Sequence, residues 1–137
     1  MSTVRYLVDT NILLRFLSGE PPAQAAAARK LFDRAANGEV ILEVPTLIVA
    51  EAYYTLTSFY EVERKIAAEK LSMLLQQHGV KLRDGNSVLT ALKWLQTSNV
   101  GFSDAYLAAE ASEEKLIVAS FDSDFDKPRV ARYEPVA

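Results

Sequence analysis

The sequence predicts an α/β protein, a three-layer sandwich with a mostly parallel central sheet flanked by helices. Two observations carry that expectation. Short apolar runs rich in Val, Ile and Leu alternate with longer stretches whose apolar residues recur at helical spacing. Pro, Gly and Asn punctuate the chain between those stretches, where helices start and stop. The 137 residues show no repeat, low-complexity tract or linker, so one domain spanning 1–137 is expected.

Each element has its own justification. Val4–Val8 reads as a strand, and Asn11–Leu17 as a short helix ended by Ser18 and Gly19. Pro21 and Pro22 open a second helix, which Asn37 and Gly38 close. Val40–Val44 is a second strand. Pro45 and Thr46 start a long helix through about Tyr60. Val62–Gln77 is helical, with Ala67, Leu71 and Leu74 on one face. Val80–Leu82 is a brief strand, and Asn86–Gln96 a helix striped by Val88, Leu92 and Leu95. Ser103–Ser112 is helical, with Ser103 as its cap and Asp104 as its first residue. Leu116–Ala119 is wholly apolar, as a strand buried on both faces would be. Val130–Tyr133 is a last edge strand.

Composition removes several chemistries. Without cysteine the chain has no disulfide, thiolate metal site or cysteine nucleophile, which fits a cytoplasmic protein. With one histidine, His78, it has no paired-imidazole mechanism, and a structural role is expected for that residue. No apolar run reaches the roughly 18 residues of a membrane span. No signal peptide is expected, because Asp9 and Arg15 interrupt the N-terminal apolar stretch. The net charge of −3 means that nucleic-acid binding would need a local basic patch or bound cations.

The acids are the informative residues. In YLVDTN, Asp9 follows apolar strand residues, where it can cap the next helix or serve as a metal ligand. Glu51 is the sole charge in LIVAEAYYTL, residues 47–56, which reads as a helix apolar on several faces and therefore buried. A buried carboxylate needs a partner or a metal, although a narrow exposed strip would also accommodate it. Asp104, in FSDAYLAAEA, is favoured in a first helical turn by the dipole alone. Asp122 and Asp124, in SFDSDFD, follow the Leu116–Ala119 strand. A calcium-loop reading fails there, with Lys127 where Gly is needed and Tyr133 where Glu is needed.

If the Asp9 and Leu116–Ala119 strands run parallel, Asp9 and Asp122 lie at one end of the sheet, where such folds bind ligands. Four converging carboxylates would demand a cation, and all-oxygen donors select Mg²⁺ or Mn²⁺. They could balance two divalent ions, a pair about 3.5–4 Å apart that activates water against a phosphodiester.

The segments LVDTNILLRFL, VPTLIVAEAYYTL, FSDAYLAAEA and IVASFDSDFD, in this order and spacing, resemble a PIN-domain ribonuclease of the VapC toxin type across nearly the whole chain. The resemblance implies an endoribonuclease dependent on Mg²⁺, with Mn²⁺ as substitute. It implies hydrolysis by a metal-activated water, with 5′-phosphate and 3′-hydroxyl products. Asp9, Glu51, Asp104 and Asp122 correspond to its catalytic acids and metal ligands, with Asp124 as a further ligand candidate. Asn11 and Ser120 would orient the site; Ser120 stands where the family usually has Thr, and the hydroxyl is kept. Arg15, Lys127, Arg129 and Arg132 are candidate RNA contacts, against the plainer reading of solvated surface charge. A cognate antitoxin and a homodimer are implied partners. Tyr53, Tyr54, Phe59 and Tyr60 could serve an interface or the core. The alternatives are a catalytically silent PIN-like binding module and an aspartate-based phosphatase. The phosphatase motif needs a second acid two residues after the first, where this chain has Asn11.

Overall fold

The computed structural model describes residues 3–127 and 130–136. The protein is an α/β fold with a parallel sheet flanked by helices. In chain order the elements are β1 (Val4–Leu7), α1 (Thr10–Ser18), α2 (Pro22–Ala36), β2 (Val40–Val44), α3 (Thr46–Ser58) and α4 (Arg64–Leu75). There follow β3 (Val80–Leu82), α5 (Ser87–Thr97), α6 (Phe102–Glu114), β4 (Val118–Ala119), a 3-10 turn (Ser123–Asp126) and β5 (Arg132–Tyr133). β2 and β3 have the bounds read from the sequence, and the helices differ from their expected limits by a few residues at either end.

β2 is the central strand of the order β1-β2-β3. Tyr6, Leu42 and Val80 share one row across the three parallel strands, and Leu7, Glu43 and Lys81 the next. Side chains alternate, so Val40, Leu42 and Val44 enter the main core while Glu43 turns to the opposite face. Glu43 is only 6% exposed, and two guanidiniums hold it. Arg5 Nε lies 2.5 Å from one carboxylate oxygen, and Arg83 Nη1 lies 3.1 Å from the other. The three strands are thus tied by one charged cluster, without which the buried carboxylate would be costly.

The main core joins β2 to Leu13, Val49, Leu56, Leu71 and Leu92, one or more from each of α1, α3, α4 and α5. α6 spans two clusters: Phe102 and Ala105 belong to the main core, whereas Ala108 and Ala111 join Val118 and Phe125 in a second, smaller one. Loops set the helix starts. Asp84 Oδ2 accepts from Thr46 N at 2.8 Å, so α3 is capped from a distant loop. Arg64 donates to the Tyr53 hydroxyl at 3.2 Å and to the Val100 carbonyl, which fixes the approach to α6.

Three expectations are corrected. Leu116 and Ile117 are 57% and 65% exposed, so the Leu116–Ala119 run is not buried on both faces; only Val118 is buried, and the strand is two residues long. β4 pairs with β5 in a separate parallel sheet, so Asp9 and Asp122 do not follow neighbouring strands of one sheet. Ser103 does not cap α6, because the helix begins two residues earlier than expected, at Phe102 after Gly101, and Asp104 is its third residue.

Candidate active site

Asp9 has the backbone of an N-cap, and its Oδ1 accepts from Thr10 N at 2.7 Å. The cap reading is therefore realised, and it engages one carboxylate oxygen of an exposed side chain. Thr10 is 5% exposed, and its Oγ1 has no hydrogen-bond partner among the described residues. Asn11 is exposed and lines a groove of about 190 Å³ with Arg15 and Gln24. Arg15 donates to Gln24 at 2.9 Å and to the Tyr60 hydroxyl at 3.3 Å.

Glu51 is exposed, which corrects the expectation of a buried carboxylate. Leu47, Glu51 and Tyr54, at positions i, i+4 and i+7, form the solvent strip of α3, while Val49, Ala52, Tyr53 and Leu56 form its buried stripe. The apolar composition of the strip, not its burial, produced the sequence signal. One turn beyond Glu51, the Tyr54 hydroxyl lies 3.3 Å from Ser103 Oγ, and its ring stands 6.2 Å from that of Phe102. α3 is thereby seated against the first turn of α6, next to Asp104.

Asp104 is half-buried. Burial raises its carboxyl above the usual aspartate range, and the negative charges of Asp122 and Asp124 push it the same way. The turn carrying those two acids is ordered by its own polar groups. Asp122 N donates to Ser120 Oγ at 2.9 Å, and Asp122 Oδ1 accepts from Asp124 N at 2.8 Å. Ser120 therefore helps hold Asp122 in place. Lys127 lies 3.4 Å from Asp124. Arg132 is bound by Asp126 at 3.2 Å and Glu134 at 3.1 Å, an ion-paired role within the turn. Arg129 lies outside the described residues. His78 Nδ1 lies 3.1 Å from the Ala36 carbonyl, in keeping with a structural role.

The structure thus gathers Asp104, Asp122 and Asp124 into one electrostatic neighbourhood and leaves Asp9 and Glu51 on separate elements. Among the described residues no three acids stand close enough to hold a metal ion together. The donor chemistry nevertheless fits a hard divalent cation, because every candidate ligand is a carboxylate and Asp104 already bears the repulsion that a cation would relieve. Sequence reasoning missed Glu43 and Arg64. An acid inside VILEV was a visible signal for the first, but its partners lie 38 and 40 residues away.

Parallel strands flanked by helices, with carboxylates following β1 and β4, define the class of the protein as an α/β fold. A family model described as PIN domain matches residues 6–131, and the chain belongs to that family. PIN domains are in general nucleases that use divalent metal ions. No curated protein matches the chain. No helix among the described residues is long and apolar enough to cross a membrane.

Proposed function

We propose that this PIN domain is a Mg²⁺- or Mn²⁺-dependent endoribonuclease and acts as the toxin of a toxin–antitoxin pair. The observation that carries the reading is the PIN-family match over residues 6–131, in a chain that offers no imidazole pair or thiol for other hydrolytic chemistry and whose half-buried Asp104 faces the charges of Asp122 and Asp124. Asp104, Asp122 and Asp124 would hold the ion from one side, and Asp9 and Glu51 would complete its ligands. When bound, such an ion supplies an activated water and charge stabilisation for the leaving oxygen. The chain's own part is to orient the carboxylates, through the Asp9 cap and the Ser120–Asp122 bond. Preference for RNA would come from contacts away from the reacting phosphorus. The exposed apolar side chains Leu47 and Tyr54 on α3, and Phe59 at its C-terminal cap, support an antitoxin interface on that helix. The absence of cysteine supports a cytoplasmic setting.

Single-stranded RNA is expected to be cut in Mn²⁺ or Mg²⁺ and left intact in EDTA, with 5′-phosphate ends on the fragments. Glu51→Gln, at an exposed position, should fold normally and lose at least about 100-fold in turnover. Robust cleavage in EDTA, 2′,3′-cyclic phosphate ends or a fully active Glu51→Gln would defeat the reading. A catalytically silent binding module would show no Mn²⁺ site by calorimetry.

A further inference from the structure

Arg15 is half-buried on α1 and braced from two sides by neutral groups. Its Nε donates to Gln24 Oε1 of α2 at 2.9 Å. Its Nη1 donates to the hydroxyl of Tyr60, just past α3, at 3.3 Å. Among the described residues it makes no salt bridge. A guanidinium held in place and left without a carboxylate is preorganised for an acceptor from outside the chain. Arg15 also stands one turn beyond Asn11 on the same face of α1, the helix that Asp9 caps. Six residues of helical rise put it about 9 Å along the axis from Asp9.

The groove of about 190 Å³ begins beside Asn11 and is walled by Ile12, Ala27 and Ala28, with Arg15 and Gln24 as its other polar groups. That lining sorts the ligands. A phosphate would shed water against apolar walls, which is costly for a charged group. A flat nucleobase loses little there and can turn its edge to Arg15. Gln24 Oε1 already accepts from Arg15, so the Gln24 amide nitrogen is the group left to bind, and it donates. Arg15 also offers only N–H groups. Neighbouring donors call for neighbouring acceptors. On its Hoogsteen edge guanine has two, O6 and N7, whereas adenine sets an amino group beside N7, cytosine shows an amino group and uracil a single oxygen.

We propose that this groove is a guanine subsite, in which Arg15 donates to O6 and N7 and the Gln24 amide adds a further donor. Arg15 is then a specificity-determining residue, which directs cleavage to phosphodiesters with a guanosine at one fixed neighbouring position. The direction of cleavage rests on the nuclease reading; the binding of guanine does not.

Fluorescence anisotropy in EDTA measures binding with metal-dependent cleavage stopped. Short labelled uridine oligonucleotides carrying one central guanosine, inosine, 7-deazaguanosine, adenosine or cytidine are titrated with the full chain. Guanosine and inosine, which both have O6 and N7, should bind about tenfold tighter than the rest. Arg15→Gln should erase that difference. So should Gln24→Glu, which at an exposed position keeps an acceptor for Arg15 but replaces the remaining donor with a second carboxylate oxygen. Equal affinity across the series, or a preference that survives in both variants, overturns the subsite. A glutamate peptide that binds as tightly as the guanosine oligonucleotide also overturns it, and makes the groove a seat for an acidic protein segment. Cleavage of mixed-sequence RNA in Mn²⁺, read by sequencing the 5′ ends, is the second measure. Cuts should share a guanosine at one fixed position, and the Arg15→Gln cuts should lose it. Cuts without a shared guanosine overturn the subsite and leave the nuclease reading. Guanosine-selective binding with no cleavage at all removes the nuclease reading and leaves the groove as a guanine site.

Discussion

At Asp104 two effects of opposite sign meet. A first-turn carboxylate is stabilised by the helix dipole, and replacing it with Asn would ordinarily cost roughly 0.3–1 kcal/mol. Here the same carboxylate is half-buried and faces Asp122 and Asp124, and its raised pKa shows that the surroundings disfavour the charge. Asp104→Asn is therefore expected to stabilise the metal-free protein at neutral pH, by about 0.5 kcal/mol once solvent screening is allowed for. Urea melts in EDTA measure the sign, and a destabilised variant would return Asp104 to the role of dipole partner. Residues of this kind were legible from sequence because helix caps and metal ligands call for the same side chains at the same places. That coincidence also limits the reading: Asp9 follows β1 for either reason, and the structure shows the cap. Glu51 was recognised as unusual, but an apolar strip facing solvent looks in sequence like an apolar strip facing a core.

Glu43 belongs to the scale of the element, since it couples β1, β2 and β3. The hydrogen bond from Arg5 holds its carboxyl below the usual glutamate range; burial opposes that shift, and the charges of Arg5, Arg83 and Lys81 add to it. The contribution to stability is present above the ordinary glutamate pKa and is lost as pH falls through the lowered folded value. Wild type should therefore exceed Glu43→Gln in stability at neutral pH, and the gap should close as denaturant melts are repeated into the acid range below that of a free glutamate. A gap independent of pH would mean that the carboxylate's charge is irrelevant. The turn into β3 makes a second demand. Gly79 has φ +86°, and a Cβ there would lie 2.3 Å from the Ala35 carbonyl oxygen. Gly79→Ala should cost about 2–4 kcal/mol, against about 1–2 kcal/mol for Gly85→Ala, which has φ +90° and open space around it. Midpoints in urea for the two variants would separate the clash from the backbone term. The Gly85 conformation could be suspected from an Asp-Gly pair, whereas the Ala35 approach depends on packing between α2 and the start of β3.

For the molecule as a whole, the alternation of strands and helices was legible because hydrophobic period and turn chemistry are local properties. The division of the strands into two sheets was not, because it depends on which edges meet, and an apolar run such as Leu116–Ala119 does not name its neighbour. The convergence of the acids was legible only in part, for the same reason: Asp122 and Asp124 follow β4 in the smaller sheet, whereas Asp9 follows β1, Glu51 lies on α3 and Asp104 on the first turn of α6.

The smaller hydrophobic cluster has a consequence for how the protein opens. Among the described residues Ala108, Ala111, Val118 and Phe125 form its buried centre, with Trp94 and Val130 packed against it, and Phe125 seats the turn bearing Asp122 and Asp124 there. Cooperative units with little buried apolar surface open at a fraction of the global unfolding free energy. Amide hydrogens beyond Ala111 should thus exchange through a local excursion, while those of β2 and α4 wait for the whole chain to unfold. Two of the acids that would hold a cation belong to this softest unit, so a bound cation would act on it as a folding ligand, drawing the last part of the chain to order by mass action.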